Sequence, residues 1–242
     1  MTAPPRDPIQ APGTREELWQ AWPGLGQLPA ADISSWSSAV IVAAHPDDEV
    51  LGAGGIMSVL AAAGARLRLV AITDGEASHP DAADPAALAR RRVAETARAL
   101  RALGAQQAEV IRLGLPDTGL AACEDEITAR LGELTAGFDV CLAPWSRDVH
   151  ADHEAAGRAA RRVSERTLSY PVWMWHWAVP GDPRVPWHQA LRVSLPAAVG
   201  ARKRAAIACF TSQLESRGGG LGPVLSPGTI AHFTRDLEVL FR

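Results

Sequence analysis

The apolar and polar positions of this chain alternate between short β-branched runs and longer amphipathic ones. Residues Ala39–Ala44 (AVIVAA) form an unbroken apolar run that stops at a His-Pro turn, which predicts a strand buried on both faces. Glu49–Ala63 carries small and apolar side chains in a helical pattern and stops at Gly64, a suitable C-terminal cap. Further strands are expected at Arg66–Ile72, Glu109–Arg112 and Phe138–Ala143. Between them the spacing predicts helices over Pro85–Leu103 and Glu124–Thr135. Asp84 can cap the first, Pro85 suits its first turn and Gly104 ends it. A helix over His153–Arg166, strands at Ser169–Trp175 and Leu191–Ser194, and a helix over Ala197–Thr211 complete the expected elements. Strands that alternate with helices predict an α/β fold with a mostly parallel sheet covered on both faces. Such a sheet binds ligands outside the carboxyl ends of its strands.

The 242 residues suit one large domain. We read residues 1–38 as an N-terminal extension and 39–242 as that domain. The lead-in MTAPPRDPIQAPGT is Pro-rich and is expected to be poorly ordered or to hug the surface. It lacks the apolar stretch of a secretory signal. A short helix near Arg15–Trp22 is expected, with Thr14 and Glu17 as a capping box. Apolar residues make up 47% and charged residues 21%, so the composition is that of an ordinary soluble globular protein. A net charge of −3 argues against a nucleic-acid partner, which demands a basic face. The clusters Arg90–Arg92 and Arg161–Arg162 read as solvated helix faces. No apolar run reaches the roughly 18 residues of a membrane helix. The three cysteines are scattered and lack CxxC pairing, which suits a reducing, cytoplasmic setting and gives no thiolate metal site.

Two loops carry the chemistry. The first strand runs into His45-Pro46-Asp47-Asp48-Glu49, and the fourth into Asp148-Val149-His150-Ala151-Asp152-His153. In a parallel sheet both loops lie at one edge, so the two clusters can meet. Zinc takes imidazole and carboxylate ligands, and a catalytic site uses three protein ligands with one position left for water. His45 and Asp48, at i and i+3, can aim at one point, and His153 supplies a third ligand. The same donor set suits iron(II). Asp47 adjoins a ligand yet points elsewhere, which makes it the candidate base for a metal-activated water. His150 can stabilise an oxyanion as imidazolium and protonate a leaving amine. Asp148 or Asp152 can orient a histidine through its second nitrogen. Gly52, Gly54 and Gly55 allow close packing beneath the site. The competing reading is that Asp47 or Asp48 merely caps the following helix.

Ala44–Gly55 (AHPDDEVLGAGG) and His150–His153 (HADH) resemble the two signature motifs of the LmbE/PIG-L family of N-acetylglucosaminyl deacetylases. Similar stretches are Ile72–Ser78, Arg92 with Glu95, Leu103-Gly104, Leu113–Leu120, Lys203, Ser212-Gln213 and Glu238. The resemblance implies a Rossmann-like three-layer sandwich and a Zn²⁺-dependent deacetylase or amidase that acts on a linear C–N bond. The implied substrate is a small N-acetylated sugar or glycoconjugate. By the same resemblance His45, Asp48 and His153 bind zinc, Asp47 is the base, His150 stabilises the tetrahedral intermediate, and Arg92 and Asp117 contact the sugar. Two departures stand out. Ala151 replaces the usual Pro of the second motif. No Tyr precedes that motif, and the single Tyr of the chain is Tyr170.

Trp173, Trp175 and Trp177 alternate, so a strand there would share them on one face, either towards the core, a homo-oligomer contact or the pocket mouth. The alternative enzyme reading is an amidase of a thiol conjugate or another non-sugar amide. The alternative of another class is a non-catalytic sugar- or nucleotide-binding protein. The run Asp47-Asp48-Glu49 would repel a pyrophosphate, which weighs against nucleotide binding.

Overall fold

A computed structural model of the chain describes residues 8, 9 and 11–242. The expectations for residues 1–7 and Gln10 of the lead-in lie outside these described residues. Seven strands form one sheet: β1 (Ser38–Ala43), β2 (Arg66–Ala71), β3 (Glu109–Arg112), β4 (Val140–Pro144), β5 (Thr167–Tyr170), β6 (Ala190–Ser194) and β7 (Leu237–Phe241). Their order is β3-β2-β1-β4-β5-β7-β6. The first five are parallel, β7 runs antiparallel to β5, and β6 antiparallel to β7. The helices are α1 (Glu16–Gln20), α2 (Gly24–Gln27), α3 (Asp48–Ala62), α4 (Pro85–Leu103), α5 (Glu124–Thr135), α6 (Ala151–Val163), α7 (Met174–Trp177), α8 (Ala197–Ile207), α9 (Thr211–Leu214) and α10 (Pro227–Ala231).

β1 shows why the chain forms three layers. Its side chains alternate across the sheet. Ala39, Ile41 and Ala43 face a core with Leu51, Ile56 and Leu103 of α3 and α4. Val40, Val42 and Ala44 face a second core with Ile127, Leu131 and Ala155 of α5 and α6. After β1 the chain moves outward to β2 and β3, then returns to place β4 on the other side of β1. The strand order thus reverses between β1 and β4, and a crevice opens at their carboxyl ends.

α4 begins and ends where its residues dictate. Asp84 Oδ1 accepts the Ala87 N–H at 2.9 Å, Pro85 opens the first turn, and Gly104 turns left-handed at φ 78°. α3 needs outside help. Glu238 of β7 accepts the N–H groups of Gly55 and Ile56 at 2.7 and 2.9 Å. Lys203 of α8 donates to the Leu51 carbonyl at 2.8 Å and to Glu238 at 2.6 Å. This buried ion pair clamps the rung between Leu51 and Gly55 from the side. Small residues permit the approach: a Cβ on Gly55 would lie 2.5 Å from Leu195, and one on Gly52 would lie 1.9 Å from the Tyr170 ring.

The aromatic segment departs from the expected strand. β5 ends at Tyr170, because the N–H groups of Val172, Trp173 and Met174 all turn to the Asp148 carboxylate. The next residues form α7, so the three alternating tryptophans share no strand face. Trp175 packs edge-on against Trp19 with ring centroids 5.1 Å apart, and Trp22 packs on Trp187 at 4.7 Å. The described part of the N-terminal extension is therefore built into the main core, with Trp19 fully buried. The expected capping box does not form. Thr14 spends its hydroxyl on the Ala178 carbonyl at 2.6 Å, and no side chain caps α1. α6 starts two residues earlier than expected, because His150 occupies its N-cap and accepts the Asp152 N–H. β7 escaped the sequence pattern, since Glu238 interrupts its apolar run. Among the described residues no helix is long and apolar enough to cross a membrane.

Removal of one partner of a buried ion pair leaves the other charged and unpaired, at a cost of about 3–5 kcal/mol. Lys203→Met should destabilise the fold by about that amount in urea denaturation. The double variant Lys203→Met with Glu238→Leu should recover part of the loss. A single-variant midpoint equal to that of the parent would contradict the clamp.

Candidate metal centre

The ends of β1 and β4 are neighbours, so the loops after them face each other across the crevice. A cavity of about 390 Å³ opens there, and His45, Asp47, Asp48, Arg92, Asp117, His150 and His153 all line it. The structure thus brings together every residue that the sequence singled out for the site.

Three side chains converge at the floor, Asp48 meeting the two rings through different carboxylate oxygens. His45 Nδ1 lies 3.5 Å from Asp48 Oδ2 and 3.3 Å from His153 Nε2, and His153 Nε2 lies 3.2 Å from Asp48 Oδ1. Ligands at 2.0–2.1 Å from a tetrahedral centre lie roughly 3.3 Å apart, so this triangle has the edge length of a zinc site. The outer ring nitrogens settle the tautomers. His153 Nδ1 meets Asp148 Oδ2 at 2.8 Å, and His45 Nε2 meets Asp152 at 3.1 Å and Asp117 at 3.2 Å. A carboxylate can only accept, so each outer nitrogen donates, and with a metal bound each inner one would present its lone pair. Two lone pairs and a carboxylate aimed at one point call for a cation. Without a metal, a proton takes that part. Burial lowers the His153 pKa, but Asp48 and Asp148 outweigh it and hold the ring at about 9, against an ordinary 6.5. His45 is also raised well above its ordinary value, since burial is outweighed by Asp117, Asp152 and Asp48.

Asp148 is the anchor of the second loop. It is fully buried and accepts from His153 and from the backbone of Val172, Trp173 and Met174. Asp152, in the first turn of α6, meets His45 of the first loop and accepts N–H groups of the loop after β3, from Thr118 at 2.7 Å and Leu120 at 3.1 Å. Both carboxylates thus orient a histidine: Asp148 holds His153 and Asp152 holds His45.

Asp47 stands apart from the ligand triangle. It occupies the N-cap position of α3 but its side chain caps nothing, and Asp48 accepts the His45 N–H at 2.9 Å. The plain capping reading is therefore not what the fold uses. Asp47 sits at φ 128°, a conformation L side chains rarely adopt, which costs about 1–3 kcal/mol. Burial pushes its carboxyl up; Arg92 opposes and Asp48 adds to the rise, leaving it at about 7. Arg92, at 3.3 Å from Asp47, is only 2% exposed. It also donates to the carbonyls of Pro46 at 2.6 Å and Gly75 at 2.9 Å. Within its Arg cluster this is the one side chain turned inward, against the expectation of a solvated face. Its two terminal nitrogens are engaged by the loops of the site, and its Nε is buried without a partner among the described residues.

In the metal-free fold burial, then the charges on His153 and His45, push the His150 pKa down to about 3. Its Nδ1 accepts the Asp152 N–H at 3.3 Å, which leaves Nε2 to carry the proton. Tyr170 takes no part in the cavity. It is fully buried and donates to the Val42 carbonyl at 2.6 Å. The cavity wall also includes Ile9, Trp173, His176, Gln213, Arg217, Val224 and Leu225. The Ser212-Gln213 pair carried a hint in the sequence. The others come from loops without periodicity and gave no signal beyond the aromatic cluster.

A model of the PIG-L family, GlcNAc-PI de-N-acetylase, matches residues 40–164. A 1D-myo-inositol 2-acetamido-2-deoxy-alpha-D-glucopyranoside deacetylase of Kineococcus radiotolerans is 36% identical over 135 residues, which is 52% of this chain. The match spans only 35% of that relative's length. Among solved structures, the N,N'-diacetylchitobiose deacetylase of Pyrococcus horikoshii has a TM-score of 0.58 at 19% identity, covering 84% of this chain and 81% of its own. The 4-carboxy-2-hydroxymuconate hydratase GalB of Pseudomonas putida has a TM-score of 0.53 at 22% identity, covering 73% and 79%. These structures share the fold, and a fold that carries both a deacetylase and a hydratase leaves function to the site.

The buried acids and histidines also set a pH dependence. Asp47 at about 7, Glu49 at about 8 and His153 at about 9 bind protons more tightly in the metal-free fold than in the unfolded chain. Such a contribution is complete below the unfolded pKa and lost as pH rises through the folded one. His150 acts with opposite sign only below its ordinary 6.5. Stability of chelator-treated protein should therefore fall as pH rises from about 6.5 to 9. Metal affinity should climb over the same window, as the metal displaces the His153 proton. Urea midpoints that stay flat or rise across that window would contradict the assignment.

Proposed function

This chain belongs to the PIG-L family of GlcNAc-PI de-N-acetylases, and we propose that it is a zinc-dependent hydrolase that removes the acetyl group from an N-acetylated sugar or glycoconjugate. The observation that carries this reading is the triangle of His45 Nδ1, Asp48 and His153 Nε2, with edges of 3.2–3.5 Å, beside the separate carboxylate of Asp47. These three residues would hold the metal. Zinc suits a hydrolysis without redox steps, and iron(II) is the alternative for the same donors. When bound, the metal supplies a Lewis acid that polarises the amide and brings the pKa of water near 7.

The rest is the work of the chain's own groups. Asp47, held near neutrality by burial and steered by Arg92, takes a proton from water as its oxygen attacks the acetamide carbon. His150 donates its Nε2–H to the oxygen on which negative charge develops. Asp47 returns its proton to the leaving nitrogen as the C–N bond breaks. The products are acetate and the free amine. Asp117 lines the cavity and can accept sugar hydroxyls. Arg92 steers Asp47 and lines the same cavity, where it can also contact the sugar. The free cysteines Cys123, Cys141 and Cys209 support a cytoplasmic setting.

Chelation should abolish acetate release and zinc should restore it. Asp47→Asn should keep its zinc and lose about 10²–10⁴-fold in kcat. His150→Ala should lose about 10²–10³-fold in kcat. A panel of N-acetyl sugars, glycolipids and thiol conjugates, read as amine release, decides the substrate and separates the sugar reading from a thiol-conjugate amidase. An Asp47→Asn protein with full turnover would sink the base assignment, and zinc-loaded protein inert on the whole panel would favour a binding function.

A further inference from the structure

Glu49 is a fully buried acid to which the proposed chemistry gives no part. It lies in the first turn of α3, directly after Asp47 and Asp48, which are buried as well. Neighbouring carboxyls repel when ionised, and burial disfavours the charge on each. Its Oε1 has no hydrogen-bond partner among the described residues. A buried polar atom without a partner opposes folding, so stability alone gives no reason for an acid here.

The other oxygen supplies the reason. Glu49 Oε2 accepts the Asp47 N–H at 3.1 Å. The carbonyl of that same peptide group, which belongs to Pro46, accepts from Arg92 Nη2 at 2.6 Å. The Pro46–Asp47 peptide is thus gripped at both ends, by a guanidinium on its oxygen and a carboxyl on its N–H. The next peptide is gripped too, since the Asp47 carbonyl accepts from Val50 and Leu51, both at 2.9 Å. A peptide group is planar, so fixing two successive planes fixes φ and ψ of the residue between them. That residue is Asp47, at φ 128°. The direction of its Cβ, and so of the carboxyl that lines the cavity, follows from this backbone.

We infer that Glu49 is a positioning residue, which locks the Pro46–Asp47 peptide from one end while Arg92 locks it from the other, and so aims the Asp47 carboxyl into the cavity. This role presupposes Asp47 as the base of the deacetylase reading. An acid in a first helical turn also favours the helix dipole, but through its charge alone. The grip instead needs an acceptor at the right reach. Glu49→Gln keeps the acceptor without the charge, and Glu49→Met keeps the volume without the acceptor. Two quantities are measured on the zinc-loaded full chain: kcat and KM for acetate release, and hydrogen exchange of the Asp47 amide by nuclear magnetic resonance. Glu49→Gln should stay within about threefold of the parent in both kcat and exchange rate. Glu49→Met should lose about 10–100-fold in kcat, as expected for a displaced base, with KM within about threefold. Its Asp47 amide should exchange at least about tenfold faster. If Glu49→Met does not fold, Glu49→Asp, one methylene shorter, takes its place with the same expected losses. A parental kcat without the acceptor, a loss of kcat with the Asp47 amide still protected, or a Gln variant as impaired as the Met variant would overturn the role. If the parent releases no acetate from any substrate, the deacetylase reading falls, and amide exchange alone decides whether Glu49 holds the peptide.

Discussion

Two imidazole nitrogens face each other across 3.3 Å, and each has its proton held on the far side of its ring by a carboxylate. Left alone, these lone pairs and the Asp48 oxygen beside them repel. The surrounding structure holds them in place regardless. Asp148 is fixed by three backbone N–H groups and Asp152 by two, and both lie in the segment after β4, facing the loop after β1 across the crevice. The carboxylates do more than aim the rings. They also choose the tautomer, and with it which ring nitrogens would be free to hold a cation.

Stored strain follows the same map. The described non-glycine residues with left-handed backbone are Asp47, Thr118 and Val149. Asp47 neighbours a ligand of the triangle, Thr118 donates to Asp152, and Val149 precedes His150. A β-branched residue at φ 63° is a costly choice for a loop of no consequence. Each is tied down by a hydrogen bond to a charged side chain: the Thr118 N–H to Asp152, the Asp47 N–H to Glu49 and the Val149 N–H to Glu154.

Much of this was legible beforehand. Strand runs such as Ala39–Ala44 are short, β-branched and ended by a turn, so the parallel sheet and the shared edge of the two loops followed from pattern alone. The ligand triangle was legible for the same reason, since each loop starts where a strand stops. The charge state of His150 was not legible, because it depends on burial and on two neighbouring rings that meet only in the fold. The same holds for Arg92, which looked like one of three solvated arginines and proved to be the buried one. The alternating tryptophans misled because period two is a strand signal only if the backbone keeps its ladder. Asp148, distant by 24 to 26 residues, takes those N–H groups instead. A carboxylate that competes for backbone donors leaves no trace in a hydrophobic pattern.

The clamp on α3 has a temporal side. Gly55 and Glu238 are 183 residues apart, so the helix that begins with Asp48 is not locked until the last strand of the sheet has been added. Contacts of such long range are formed late, because the entropy of closing the loop has to be met before the contact rewards it. The donors of the triangle thus come from early in the chain, but their rigidity comes from its end. During folding, His45 and Asp48 pass through a stage in which they are present but loosely held. A metal encountered then would meet a flexible chelate, and the full rigidity of that chelate waits for β7 to join the sheet.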